Sequence, residues 1–216
     1  MLKTSRPRIL IADDHALVAE AFKNFLAPDF AVIATVHDGR SLMRAAVALR
    51  PDVILTDVGM PLLNGLDAAE RIKRISPQVK LIYVTVNQDP GLIAEAFRRG
   101  ASGYLLKTAA ARELVSAIRQ VLQGKTYLSS SLVTLVQDLF RELEDTKSLR
   151  NELTDRQLEV LQLLAEGWSL KEAAGLLNVA TRTVAFHKRR IKKNLSLHND
   201  AEFVQYAIRE HIIFEA

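Results

Sequence analysis

The chain has 216 residues and no cysteine. A disulfide framework, a thiolate metal site and a catalytic cysteine are therefore excluded. No long uncharged apolar run occurs, which predicts that no segment spans a membrane. The N-terminus is basic, but the apolar stretch at 9–12 is too short for a signal sequence and runs straight into Asp13-Asp14, so a soluble cytoplasmic protein is expected. There is no internal repeat, low-complexity tract, P-loop, Rossmann glycine fingerprint, Ser-His-Asp signature or metal-type histidine cluster. What is present suffices for a packed core: 49% of residues are hydrophobic and 25% charged, which excludes wholesale disorder. The length allows one large domain or two ordinary ones. Lys and Arg number 29 against 25 Asp and Glu; the net of +4 is only a weak sign of an anionic partner.

Two rhythms divide the chain. In the first half, short apolar runs at 9–12, 31–36, 53–56, 81–85 and 104–106 read as strands. Amphipathic, helix-length segments at 17–27, 41–49, 68–75, 92–99 and 113–122 separate or follow them. Strands alternating with helices imply crossovers and a parallel sheet. Because the strands are continuously apolar, both faces should be covered. The expectation is an α/β, doubly wound, five-stranded parallel sheet. After Gly124 the strand signal disappears. A helix is expected over 132–143, then a polar linker at 144–151.

The last part reads as four helices. Thr154-x-x-Gln157 and Ser169-x-x-Glu172 are capping-box patterns; Gly167 and Asn178 supply stops. A third helix is expected over 181–195 and a fourth from Asn199.

In an open α/β sheet, ligands bind beyond the carboxyl ends of the strands. Asp13, Asp14, Asp57, Thr85 and Lys107 all fall there. Each alone has a plain structural reading, as a cap, a strand end or surface charge; together they are hard to obtain by accident. Three carboxylates would repel one another unless a cation joined them, and a hard oxygen set suits Mg²⁺. Lys107 would offset further charge and attract an anion. The set suits phosphoryl transfer to a carboxylate, with Asp57 as nucleophile and Thr85 as a donor reading the added charge.

The run Asp13-Asp14-His15, the stretch Leu55-Thr56-Asp57-Val58-Gly59-Met60-Pro61-Leu62-Leu63-Asn64-Gly65, Thr85, and Gly103-Tyr104-Leu105-Leu106-Lys107 together resemble a response-regulator receiver domain, over about residues 7–123. The resemblance implies a flavodoxin-like fold in which Asp57 accepts a phosphoryl group from a sensor histidine kinase. Asp13, Asp14, Asp57 and the backbone carbonyl of Gly59 would hold Mg²⁺. Thr85 and Tyr104 would form the switch pair, and the surface of roughly 90–123 would change shape. Three departures stand out. Val86 occupies a position where the family usually has alanine, Gly59 has no side chain to position water, and Thr108 replaces a frequent proline. From Gly59 a slow loss of the phosphoryl group is expected.

Between Arg182 and Lys193 six of twelve residues are basic and none is acidic, although residues 151–216 are neutral overall, with nine of each sign. Val184, His187, Ile191 and Leu195 share an inward stripe; Arg182, Ala185, Phe186, Arg189 and Lys193 share an outward face. A basic outer face after a short helix and a tight turn suits the DNA major groove. A solvated charged face or an acidic protein partner is the plainer alternative, and His187 reads as a core-side histidine.

The motif Leu153-Thr154-Asp155-Arg156-Gln157-Leu158-Glu159-Val160-Leu161, with Glu166-Gly167, Lys171-Glu172-Ala173-Ala174, Thr183-Val184 and His187, resembles a LuxR-type helix-turn-helix domain. The whole chain thus resembles a NarL/FixJ-type response regulator: a receiver at 7–123, a linker with a helix at 124–150, and an all-α four-helix DNA-binding domain at 151–216. By that resemblance Ala185, Phe186 and Arg189 face base edges, with Arg189 suited to bidentate guanine contact. Lys188, Lys192 and Lys193 are expected at phosphates, with Arg182 and Thr183 beside them. Ala180 stands where a serine cap is common, and Thr181 could cap one residue later. Val204, Ala207 and Ile208 are the expected contacts of an active homodimer reading two half-sites. The chain is expected to assist its own phosphorylation and dephosphorylation but not to turn over repeatedly as an enzyme. A phosphohydrolase on a similar sheet would need a second carboxylate at position 59. A protein-binding adaptor would not need the basic stripe.

Overall fold

A computed structural model describes residues 6–133 and 153–214. The chain divides into two compact units, the first up to Asp145 and the second from Thr146.

The first unit alternates strand and helix as the rhythm requires. It runs β1 (Arg8–Ala12), α1 (Ala16–Leu26), β2 (Ala31–Val36), α2 (Gly39–Leu49), β3 (Val53–Thr56), α3 (Gly65–Ile75), β4 (Lys80–Thr85), α4 (Pro90–Arg98), β5 (Gly103–Leu106) and α5 (Ala110–Leu122). A sixth strand follows, β6 (Tyr127–Leu128), and then a 3₁₀ turn at Ser130–Leu132. The sheet has the order β2-β1-β3-β4-β5-β6, and every pair is parallel. The expected five strands are thus corrected to six. Two residues are too few to display a periodicity, and the serines after them read as a turn. The edge is held by its backbone pairing to β5 and by side chains: Ser129 and Ser130 hydroxyls donate to the two carboxylate oxygens of Glu113 on α5, at 2.5 and 2.7 Å.

Alternation along the strands sorts the core into two layers. Ile9, Ile11, Val53, Leu55, Ile82, Val84 and Leu105 pack with α1 and α5, where Leu26, Leu114, Ile118 and Val121 are fully buried. Leu10, Ile54, Tyr83 and Tyr104 take the alternate positions and are equally buried. Each fully buried aliphatic side chain contributes roughly 1.5–3 kcal/mol. The Arg99 guanidinium ties α3 to α4 through Asp67 at 2.6 Å, Glu70 at 2.9 Å and Glu95 at 2.5 Å. Because the strand order reverses between β1 and β3, their carboxyl ends border the crevice where such folds bind ligands.

In the second unit four helices are described: α6 (Asp155–Ala165), α7 (Leu170–Leu177), α8 (Thr181–Asn194) and α9 (Asp200–Arg209). Both capping boxes form, each satisfying two backbone donors reciprocally. Gly167 and Asn178 both adopt positive φ, at 93° and 51°, which lets the chain turn out of α6 and α7. The cap of α8 is Ala180, with no side-chain bond; Thr181 is already helical. Val184 and Ile191 are fully buried on the inner stripe, with Leu161, Phe203 and Ala207. Of the helix expected over 132–143, Leu132 closes the 3₁₀ turn, and 134–143 lie outside the described residues, as does the linker at 144–151.

Candidate functional site

The candidate acceptor pocket is built by backbone bonds that fix where each strand ends. The Asp13 N–H donates to the Val36 carbonyl at 3.0 Å, the Asp57 N–H to Ala12 at 2.9 Å and the Lys107 N–H to Thr85 at 2.9 Å. His37 Nδ1 lies 2.8 Å from the Asp13 carbonyl oxygen. Gly65 closes the loop after β3: its N–H donates to Val58 at 2.8 Å, and a Cβ there would stand 1.9 Å from the Asp57 carbonyl oxygen. Only glycine permits that approach.

Asp57 is 7% exposed. One of its carboxylate oxygens accepts the Val58 N–H at 2.6 Å; the other is 2.6 Å from Lys107 Nζ. The same ammonium is 2.8 Å from Asp13 Oδ2, while Asp13 Oδ1 accepts the His15 N–H at 2.9 Å. Lys107 therefore bridges the two buried carboxylates. Burial works to lower its pKa, but the bonds to Asp13 and Asp57 outweigh burial and raise it, so the ammonium keeps its charge.

Asp13, Asp14, His15 and Asp57 each place one ligand atom within 4.8 Å of all the others. Three carboxylates converging at a solvent-accessible rim fit a hard divalent cation that keeps water in its shell. His15 has no role in the sequence reading; its adjacency to the aspartates was the available signal. Its Nδ1 lies 2.9 Å from Asp14 Oδ1.

Thr85 and Tyr104, the expected switch pair, meet at Asn87, which is unassigned from sequence. Thr85, 3% exposed, accepts the Asn87 N–H on Oγ1 at 3.3 Å, and the buried Tyr104 hydroxyl donates to the Asn87 carbonyl at 3.0 Å. Burial raises the Tyr104 phenol, with the charges of Asp57 and Asp89 adding to it, so it stays protonated and able to donate. Val86 points outward and is 71% exposed.

On α8 the outward face forms largely as expected. Arg182, Arg189 and Lys193 are exposed, Phe186 is 51% exposed, and Ala185 and Thr183 are half-buried. Arg190, absent from the sequence expectation, sits over the Phe186 ring at 5.5 Å. His187 is half-buried; desolvation first, then Arg156 and Arg190, lower its pKa, so it is neutral. Lys188 and Lys192, expected at phosphates, both pair with Asp200 in this structure. On α9, Val204 and Ile208 are half-buried, but Ala207 has no exposed surface and belongs to its own domain's core, so it has nothing to offer a second copy.

A strand-end carboxylate pocket in one unit and a basic helix in the other are the two parts of a phosphorylation-regulated, DNA-binding transcription regulator, and family models match both units. The response regulator receiver domain family matches residues 9–119, and the LuxR family of bacterial regulatory proteins matches 151–207. The chain belongs to the response regulators that join these two domains. It is 36% identical over 214 residues to the oxygen regulatory protein NreC of Staphylococcus aureus strain JH9, covering 95% of this chain and 99% of that one. The NreC of strain MRSA252 is 35% identical over the same coverage. Among solved structures, the RcsB–DNA complex of a two-component response regulator aligns with 26% identity and a TM-score of 0.59, over 94% of this chain and 98% of that one. RcsB of Salmonella enterica serovar Typhimurium, bound to promoter P1flhDC with the phosphomimetic BeF3-, aligns with 25% identity and a TM-score of 0.61 over the same shares. No helix among the described residues is long and apolar enough to cross a membrane.

Proposed function

We propose that Asp57 is the phosphoryl acceptor and that a sensor histidine kinase is the donor. The observation that carries this is Lys107, whose ammonium reaches both Asp57 and Asp13 at the strand ends. It places a positive charge where the oxygens of a transferred phosphoryl group gather negative charge. Asp13, Asp14, Asp57 and the Gly59 carbonyl would hold Mg²⁺, which supplies neutralisation of the same charge. Asp57 attacks phosphorus in line, the phosphohistidine imidazole leaves, and the product is an acyl phosphate. Thr85 then donates its O–H to the new group, and Asn87 carries that movement to Tyr104. Nothing in this sequence of steps regenerates Asp57 quickly, so the chain acts as a switch and not as a multiple-turnover enzyme.

Residues 7–123, extended by β6, do this work. Residues 151–216 read DNA in the cytoplasm through α8, with Arg189 at a base edge, Ala185 and Phe186 in apolar contact, and Arg182, Thr183 and Lys193 along the backbone. RcsB dimers have been solved on DNA, and by analogy two copies of this chain would pair through Val204 and Ile208. Incubation with a small phosphodonor and Mg²⁺ tests the acceptor. One phosphoryl group per chain is expected, lost in Asp57→Asn; an undiminished label in that variant overturns the assignment.

A further inference from the structure

Two ammonium groups one helical turn apart on α8 converge on a single carboxylate. Lys188 Nζ is 2.9 Å from one oxygen of Asp200, and Lys192 Nζ is 2.7 Å from the other. Asp200 opens α9 and is 69% exposed, whereas the lysines are only about a quarter exposed, at 27% and 24%. A carboxylate gripped by one lysine on each oxygen occupies the space that two free oxygens of a phosphodiester would occupy. Lys188 and Asp200 line a groove of about 180 Å³ together with Trp168, Phe203 and Val204, so the Lys188 stem is directed along a wall, while Lys192 closes on Asp200 from one turn further along α8. Hydrogen bonds from Lys192 and Lys188 hold the Asp200 carboxyl below its ordinary range, so the anion persists at neutral pH.

We propose that Lys188 and Lys192 form a clamp for one phosphate of the nucleic-acid backbone, and that Asp200 is its built-in competitor. This rests on the reading of α8 as the DNA-facing helix. Before DNA can enter the clamp, Asp200 must leave it, so part of the attraction between helix and duplex is cancelled. The effect is independent of base sequence, because phosphate contacts carry no sequence information. Asp200 thereby weakens binding by a similar factor at random sites and at sites where Arg189 adds a base contact, and the latter remain the tighter ones.

The test measures binding of the full chain to a labelled duplex of random sequence across a salt series. Asp200→Asn, and separately Asp200→Ser to guard against a single misfolded variant, should bind about fivefold tighter at low salt, with a steeper salt dependence from the added phosphate contact. The gain should vanish when Lys188→Ala and Lys192→Ala are present as well. A gain of equal size in that background reports net charge alone and overturns the clamp. Unchanged or weaker binding also overturns it, by making Asp200 an organiser of the lysines. If no variant and no wild-type sample binds duplex in a salt-dependent way, the reading of α8 itself fails and the clamp falls with it. That result is distinct, because the first two outcomes require measurable binding.

Discussion

The Tyr104 hydroxyl donates to the Asn87 carbonyl at 3.0 Å, and the Asn87 N–H donates to Thr85 Oγ1 at 3.3 Å. One residue thus links the group that would sense phosphorylation to the aromatic side chain that would respond. Tyr104→Phe keeps the ring and removes the tie. Losing one buried hydrogen bond should cost about 1 kcal/mol of stability. Phosphorylation of Asp57 should continue, while the phosphorylation-dependent rise in duplex binding falls. Denaturant melts and binding curves on the same preparations check both; an undiminished rise would remove Tyr104 from the switch.

Gly65 and Asp57 are coupled through the backbone. Since a Cβ at Gly65 would stand 1.9 Å from the Asp57 carbonyl oxygen, Gly65→Ala forces the acceptor loop to move. A stability loss of about 3 kcal/mol or more is expected, in the range of steric clashes in a core. Phosphorylation should be lost as well. Circular dichroism melts with phosphoryl labelling decide the matter, and normal labelling at wild-type stability would show that the loop yields.

β6 should be sensitive to acid. Burial acts to raise the Glu113 carboxyl, but hydroxyl bonds from Ser129 and Ser130 prevail and hold it below its ordinary value of 4.5. A carboxyl lowered in the folded state contributes stability that is complete above its ordinary value and is lost as pH falls through the lowered one. Hydrogen exchange at the Ser129 amide, which is bonded to the Tyr104 carbonyl at 2.9 Å, reports the edge directly. Its protection should drop below pH 4.5 earlier than that of central strands, and Glu113→Gln should abolish this difference.

Gly59 offers no side chain to orient a water molecule at the phosphorylated Asp57. Gly59→Asn introduces a carboxamide that can do so, and the phosphoryl group should be lost several-fold faster. Decay of the labelled protein after removal of the donor measures it. An unchanged decay rate would mean that water reaches the site by another route.

The receiver-like site was legible because its parts lie at strand ends, where the apolar runs stop: Asp13, Asp57, Thr85 and Lys107 each follow a hydrophobic segment. Helix starts were less legible. Apolar spacing becomes visible only after the first turn, yet Asp38, Asn64 and Asp89 accept the N–H groups of Ser41, Asp67 and Leu92, and so begin α2, α3 and α4 two or three residues early. β6 escaped notice because Glu113, fourteen residues before Tyr127, holds the segment after it. Asp200 escaped because its partners lie twelve and eight residues back, across a turn whose geometry no local pattern encodes. Ala207 follows the helical stripe that points inward, and spacing alone does not tell which apolar side of a short helix meets its own domain.

A phosphoryl group on Asp57 is expected to alter where the protein sits on DNA. Genomic footprinting of the wild type against Asp57→Asn, with and without the kinase's stimulus, measures this most directly. Occupancy is expected to rise at operator sites in the stimulated wild type and to remain at the basal level in Asp57→Asn. Identical occupancy of the two proteins under every condition would contradict phosphorylation control.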